Sequence, residues 1–226
     1  MTPVLERKWT AAAARAPQLA RWLSSRLRHD PKHAAGWVVS VYYDTPDWRL
    51  LREKEDSDYL KTKVRIRWYE DDAGGLLSPE AFLEVKAKRG GARTKTRLVV
   101  PEPATRLQKL SLADPCWMHL PDAARRAGAL LPSPLTPVFS VRYRRRRFVD
   151  PLTRSRVALD EAIHVGAVHP GRVPGHRRLH LDRAVVEVKG TEPDLPAHLT
   201  GLFSLGCRRE AFSKYFNCHR LLLLSP

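Results

Sequence analysis

The chain has 226 residues, enough for one substantial core, and is 43% hydrophobic. Its 40 Lys and Arg against 24 Asp and Glu give a formal charge of +16, so its long-range field favours anionic partners: nucleic acid, phosphorylated metabolites, polyphosphate or acidic membranes. Three cysteines without a CxxC pair exclude a disulfide framework, the opening MTPVLERKW lacks the apolar core of a secretory signal, and Leu221–Leu224 is too short to cross a bilayer; a soluble cytoplasmic protein without membrane insertion is expected.

A short strand is predicted around Val4–Trp9. Residues 12–29 place Leu19, Trp22, Leu23 and Leu27 at helical spacing, which predicts an amphipathic helix. The β-branched and aromatic run GWVVSVYYDTPDW predicts a strand that stops at the turn signal Thr45-Pro46-Asp47. Residues 59–69, 81–89 and 94–100 follow as strands separated by DDAGG and by Gly90-Gly91, the pattern of an antiparallel meander. The Pro-rich stretch 101–137 reads as a helical connection across the sheet. A second block of strands is predicted at 138–148, 155–163 and 183–190, with a His- and Gly-rich loop at 164–180. Residues 196–224 read as helices with a break at Gly206. About eight strands with helices segregated outside give an α+β protein on a curved or closed antiparallel sheet, organised as a single domain over 1–226.

Several strands alternate an apolar and a charged side. Lys63, Arg65 and Arg67 share one side while Val64, Ile66 and Trp68 share the other; Glu84, Lys86 and Lys88 oppose Leu83 and Val85; Glu187 and Lys189 oppose Val186 and Val188. Two arrangements satisfy this pattern. An open sheet would pack its apolar side on helices and leave the charged side in water. A closed barrel would turn the charged rows inward around a small ligand, and such a lumen would need an anion to be stable. Guanidinium groups at Arg65 and Arg67 suit bidentate contact with phosphoryl oxygens, and a carboxylate among the cations, Glu187, suits a divalent metal bridging a phosphate. Trp68 belongs by parity with the core. His164, His169, His176 and His180 match no common zinc spacing and read as a solvated loop.

The ordered succession VVSVYYDTPDW, KVRIRWYE, FLEVKAKR, SVRYRRRRF, SRVALDEAI, VVEVKG and AFSKY resembles the VTC (vacuolar transporter chaperone) catalytic domain, the polyphosphate-polymerase branch of the triphosphate tunnel metalloenzymes. The resemblance runs from about Glu6 to about Tyr215. It implies an eight-stranded antiparallel β-barrel tunnel with helices packed outside, which binds a nucleotide triphosphate with Mn2+ or Mg2+. It further implies that Arg65, Arg67, Lys86, Arg145, Lys189 and Lys214 are the catalytic cations, that Lys8, Lys95, Tyr143 and Ser213 complete the phosphate-binding set, and that Glu187 ligates the metal. Two departures stand out. Family members tend to carry a basic residue where this chain has Ala211, and the ExExK signature of the triphosphatase branch is reduced to Glu6 and Lys8.

The activity implied is transfer of the γ-phosphoryl group of ATP to a growing polyphosphate chain. The terminal phosphate of an existing chain is already anionic, so no general base is required. A triphosphatase is the alternative, and it would have to activate water through Glu84 or Asp160. A non-catalytic binder of polyphosphate or RNA is a second alternative, suggested by aromatic residues next to Arg in RWYE and VRYRRRRF, although no RNA-binding motif is recognisable and nucleic acid is the less favoured partner.

Overall fold

The computed structural model describes residues 4–56, 59–173, 179–192 and 194–224. Among the described residues there are eight long strands, β1 (Leu5–Ala11), β3 (Ala35–Asp44), β4 (Leu60–Glu70), β5 (Phe82–Arg89), β6 (Ala92–Val99), β7 (Thr136–Val149), β8 (Arg156–Val168) and β9 (Ala184–Gly190), together with the two-residue strands β2 (Arg28–His29) and β10 (Arg208–Arg209). Their hydrogen-bonded order is β10-β1-β9-β8-β7-β3-β4-β5-β6, with β2 on β7. This is the expected antiparallel sheet with helices outside it, with one correction: among the described residues the expected barrel is not closed. One end of the strand path is β10, whose two residues offer too short a ladder to complete a barrel.

The chain divides into two compact units, each assembled from three segments. The first comprises Met1–Trp37, Tyr143–His164 and His180–Ser213. Its core forms because β1, β8 and β9 turn Trp9, Ala11, Val157, Leu159, Val186 and Val188 to one side. Helix α1 (Ala16–Ser24) lays the stripe Ala16, Leu19, Ala20 and Leu23 on that side, and Leu199 and Leu202 of a 3-10 segment complete it. The predicted helix 12–29 is thus shorter than expected: its last residues leave α1 and enter β2.

The second unit comprises Val38–Arg142, Val165–Leu179 and Lys214–Pro226. Here β3, β4 and β5 turn Val39, Val41, Tyr43, Val64, Ile66, Trp68, Leu83 and Val85 towards three short helices, Ala104–Leu107, Cys116–His119 and Asp122–Arg126, which supply Ala104, Leu107, Trp117 and Ala124. Tyr43 Oη donates to the Trp117 carbonyl at 3.0 Å, fixing this layer to the sheet. The β5–β6 turn is Gly90-Gly91, and Gly90 needs its glycine because its φ of 58° lies in the left-handed region.

Three local expectations change. Residues 49–56 form a helix (Arg49–Asp56) between β3 and β4, where only Leu50 and Leu51 are buried and no long apolar stripe announced it. Strand β8 continues to Val168, so the first part of the expected loop 164–180 is strand, tied down by the His164–His180 bridge; His176 lies outside the described residues. The C-terminal region is not helical throughout: β10 separates the 3-10 segment (Ala197–Leu202) from the last helix (Lys214–Leu224).

Candidate functional site

In the second unit the side of β4, β5 and β6 opposite the core carries the charge. Register places Lys61 opposite Lys88 and Lys88 opposite Arg93, then Lys63 opposite Lys86 and Lys86 opposite Lys95, then Arg65 opposite Glu84 and Glu84 opposite Arg97. Eight cations and one carboxylate thus occupy three rungs of one face. Of the predicted residues, Arg65, Lys86 and Lys95 lie here, and Arg67 follows on β4.

The single carboxylate organises its rung. Arg65 donates to Glu84 Oε2 from Nε at 2.8 Å and from Nη2 at 2.6 Å, while Arg67 Nη1 lies 3.5 Å from the same oxygen and Arg97 Nε lies 3.9 Å from Oε1. Burial, with 3% exposure, pushes the Glu84 carboxyl up, but Arg65, Arg67 and Lys95 outweigh it and hold the pKa at about 2. The guanidinium groups are oriented from behind by β3: Arg67 Nε donates to Ser40 Oγ at 3.0 Å, and Arg65 Nη1 lies 3.5 Å from Tyr42 Oη. Ser40 and Tyr42 were not singled out from sequence. Their signal was the alternation in VSVYYD, which puts Ser40, Tyr42 and Asp44 on the side away from Val39, Val41 and Tyr43.

In the first unit the corresponding side of β1, β8 and β9 is also charged, but with opposite signs facing each other. Lys8 pairs in register with Glu187, and Glu6 with Lys189. Lys189 Nζ lies 2.5 Å from Glu187 Oε1 and 3.3 Å from Glu6 Oε2. Lys8 Nζ lies 3.2 Å from Glu6 Oε1 and donates to the Phe212 carbonyl at 3.1 Å. Arg145 holds both oxygens of the fully buried Asp160, at 2.6 and 2.8 Å, and reaches Glu187 Oε2 at 3.4 Å. Its guanidinium lies over the ring of Tyr143, which is buried. Burial alone would lower the Arg145 pKa; Asp160, Tyr143 and Glu187 reverse that, and the group stays charged. Asp160, considered from sequence as a base, is instead the clamp that aims Arg145.

The AFSKY segment contributes Ser213, buried in the first unit, and Lys214, half-buried at the start of the last helix of the second. Tyr215 Oη donates to Asp44 Oδ2 at 2.5 Å and its ring stacks on Tyr42 at 5.0 Å and Phe139 at 5.3 Å, so the segment is held against β3. Ala211 is exposed, and Arg208 and Arg209 beside it pair with Thr10 and Trp9 through β10.

Among the described residues no three His, Cys, Asp or Glu side chains gather as a ready metal site. The chemistry of Glu6 and Glu187 nevertheless suits a hard cation, because these two carboxylates already bracket one positive charge, the Lys189 ammonium. Two carboxylates with phosphate oxygens from a substrate are the donors that Mg2+ and Mn2+ accept.

A sheet of this topology, with buffered basic rows on the sides opposite both cores, defines a protein of the triphosphate-tunnel class. The model of the VTC domain matches residues 5–223, and the chain belongs to that family. No curated protein sequence matches it. Among solved structures it is similar to the PH1819 protein of Pyrococcus horikoshii OT3, at 14% identity over 98% of both chains with a TM-score of 0.51. It is also similar to a candidate adenylate cyclase of Bacillus halodurans, at 16% identity over 92% of both chains and a TM-score of 0.53. A second candidate adenylate cyclase, from Vibrio parahaemolyticus, matches at 12% identity over 96% of this chain and 97% of its own, with a TM-score of 0.50. At these identities the likeness establishes the fold.

Proposed function

We propose that this chain is a metal-dependent polyphosphate polymerase that transfers the γ-phosphoryl group of ATP to the end of a polyphosphate chain, acting as a single domain in the cytoplasm. The supporting observation is the state of its carboxylates. Glu84 is held at a pKa of about 2 by Arg65 and Arg67, and both oxygens of Asp160 are held by Arg145, so neither suits the work of a base near neutral pH. What these faces offer is positioned positive charge, and phosphoryl transfer to an acceptor that is already anionic needs little else.

In this reading Arg65, Arg67, Lys86, Arg145, Lys189 and Lys214 neutralise charge on the transferring phosphoryl oxygens. Lys8, Lys95, Tyr143 and Ser213 position the remaining phosphates. Glu187, with Glu6 beside it, holds the divalent cation, which supplies further neutralisation of phosphate oxygens when bound. No helix among the described residues is long and apolar enough to cross a membrane.

The test is incubation of the purified protein with ATP and Mn2+, followed by gel analysis. Chains longer than triphosphate, absent with the Arg65→Ala, Arg67→Ala double variant and reduced with Lys86→Met, support the polymerase. Release of orthophosphate alone would make the protein a triphosphatase. Consumption of neither, with polyanion binding retained, would make it a binder.

A further inference from the structure

Strand β6 ends the sheet, and among the described residues no strand pairs with its outer edge. The direction of its backbone groups follows from one hydrogen bond just past its end. Val100 N donates to the Ala81 carbonyl at 2.9 Å, next to the pair Phe82 and Val99. Bonded and non-bonded pairs alternate along an antiparallel ladder, so Leu98, Thr96, Thr94 and Ala92 are the residues of β6 that bond to β5. The N–H and C=O groups of Arg93, Lys95, Arg97 and Val99 therefore point away from β5, along the outer edge, and all four residues are exposed. The side chains of Arg93, Lys95 and Arg97 stand on the charged side of the sheet, opposite Lys88, Lys86 and Glu84. Arg97 is steadied by Glu84 and by the Phe82 ring, 3.9 Å from its guanidinium, and still leaves 40% of its side chain exposed. On the other side of the sheet Thr94 and Thr96 line, with Val85, Ala87, Ala129 and Leu130, a cavity of about 280 Å³.

An exposed edge of this length is a template for another strand. The row Arg93, Lys95 and Arg97 selects which strand. A second copy of β6, laid antiparallel across a two-fold axis, would bring this row against itself, and like charges directly opposed are unfavourable. A strand with carboxylates at alternate positions meets the same row with opposite charge. Its intervening side chains then fall on the side of Thr94 and Thr96, where the cavity takes apolar groups. We propose that the outer edge of β6 receives an acidic extended segment of another protein as an added strand. Main-chain hydrogen bonds hold that segment, its carboxylates lie beside Arg93, Lys95 and Arg97, and its apolar side chains cover the cavity. This partner site is independent of the reaction proposed above.

The probe is a short synthetic peptide that alternates Glu and Val, titrated against the full chain without ATP and in phosphate-free buffer, because Lys95 also belongs to the phosphate-positioning set. Hydrogen exchange followed residue by residue is expected to slow at the Arg93, Lys95, Arg97 and Val99 amides more than at Thr94 and Thr96, which already bond to β5. A peptide of the same composition with its Glu residues in one block is expected to bind about tenfold more weakly. N-methyl groups on the Glu amides, which face β6, should cost about tenfold or more, whereas N-methyl groups on the Val amides, which face away, should cost far less. Arg93→Glu, at its exposed position, is expected to weaken the alternating peptide by about fivefold. The peptide controls carry the test should that variant fold poorly. Equal affinity for the block and alternating peptides, or for the two N-methylated forms, would reduce the edge to an unspecific basic surface and overturn the proposal. No binding of the alternating peptide would overturn it as well. The same amide protection produced by inorganic polyphosphate, by single-stranded DNA or by raising the concentration of the protein alone would place a polyanion or a second copy at this edge and end the proposal.

Discussion

Glu84 shows how one residue makes a cationic face foldable. It is a buried carboxylate whose folded pKa, about 2, lies below its ordinary 4.5. Its contribution to stability is therefore complete above pH 4.5 and is lost as pH falls towards 2. Replacing it with Gln leaves Arg65 and Arg67 near one another without their counter-charge, and removing one partner of such a buried pair costs about 3–5 kcal/mol. Glu84→Gln should lower the urea midpoint at pH 7 and flatten the stability profile between pH 2 and 4.5; a variant as stable as wild type at pH 7 would contradict this account. Arg7 is the opposite case. It lies on the core side of β1 with Trp9, is 7% exposed, and among the described residues none of its three guanidinium nitrogens has a hydrogen-bond partner. A buried charge without a partner is a net cost, and an apolar side chain of similar length removes it. Arg7→Met should stabilise the protein by about 1–4 kcal/mol, read from the urea midpoint at unchanged m-value. A destabilised variant would mean that the guanidinium has a counter-ion in solution.

At the level of elements, what could be read from sequence was what repeats. Four of the eight long strands, β4, β5, β8 and β9, carry period-two alternation that placed them, and the others were placed from β-branched and aromatic content or from the turn signals that bound them. Strands β2 and β10 have two residues each and no period to detect. The helix over 49–56 was missed because it buries only Leu50 and Leu51, while its real determinant is distant from any apolar pattern: Asp44 accepts from the Leu50 and Leu51 amides at 2.8 and 3.0 Å. The same carboxylate receives Tyr215 Oη, so Asp44 joins the strand end, this helix and the last helix in one buried node. Burial and the neighbouring Asp44 raise the Tyr215 pKa, so the phenol keeps its proton as donor. Tyr215→Phe retains the ring stacking and removes only the hydroxyl, and a hydrogen bond to a charged group is worth about 1.5–3 kcal/mol. Thermal unfolding should report that loss, with the double variant Tyr215→Phe, Asp44→Asn costing less than the sum of the singles. Strict additivity would show that the two groups do not act as one node. Of the candidate site, the side of the sheet on which Arg65, Lys86 and Glu187 stand follows from parity, whereas the guanidinium supports Ser40 and Tyr42, and the clamp on Arg145 at Asp160, depend on tertiary pairing that no local pattern encodes.

For the whole molecule, the question is whether two compact units behave as two domains. Each is assembled from three separate segments, and β3, β7 and β8 have residues in both. A unit whose strands continue into the other cannot fray to its boundary without leaving a strand half-ordered, so the expectation is one cooperative transition. The tryptophans make this measurable, because Trp9, Trp22 and Trp37 belong to the first unit and Trp48, Trp68 and Trp117 to the second. Replacing either set of three by Phe leaves fluorescence reporting one unit alone. The urea midpoints of the two variants will each match the midpoint from far-ultraviolet circular dichroism of the same variant if folding is a single event. A fluorescence midpoint that departs from the dichroism midpoint in the same variant would show that the units unfold separately.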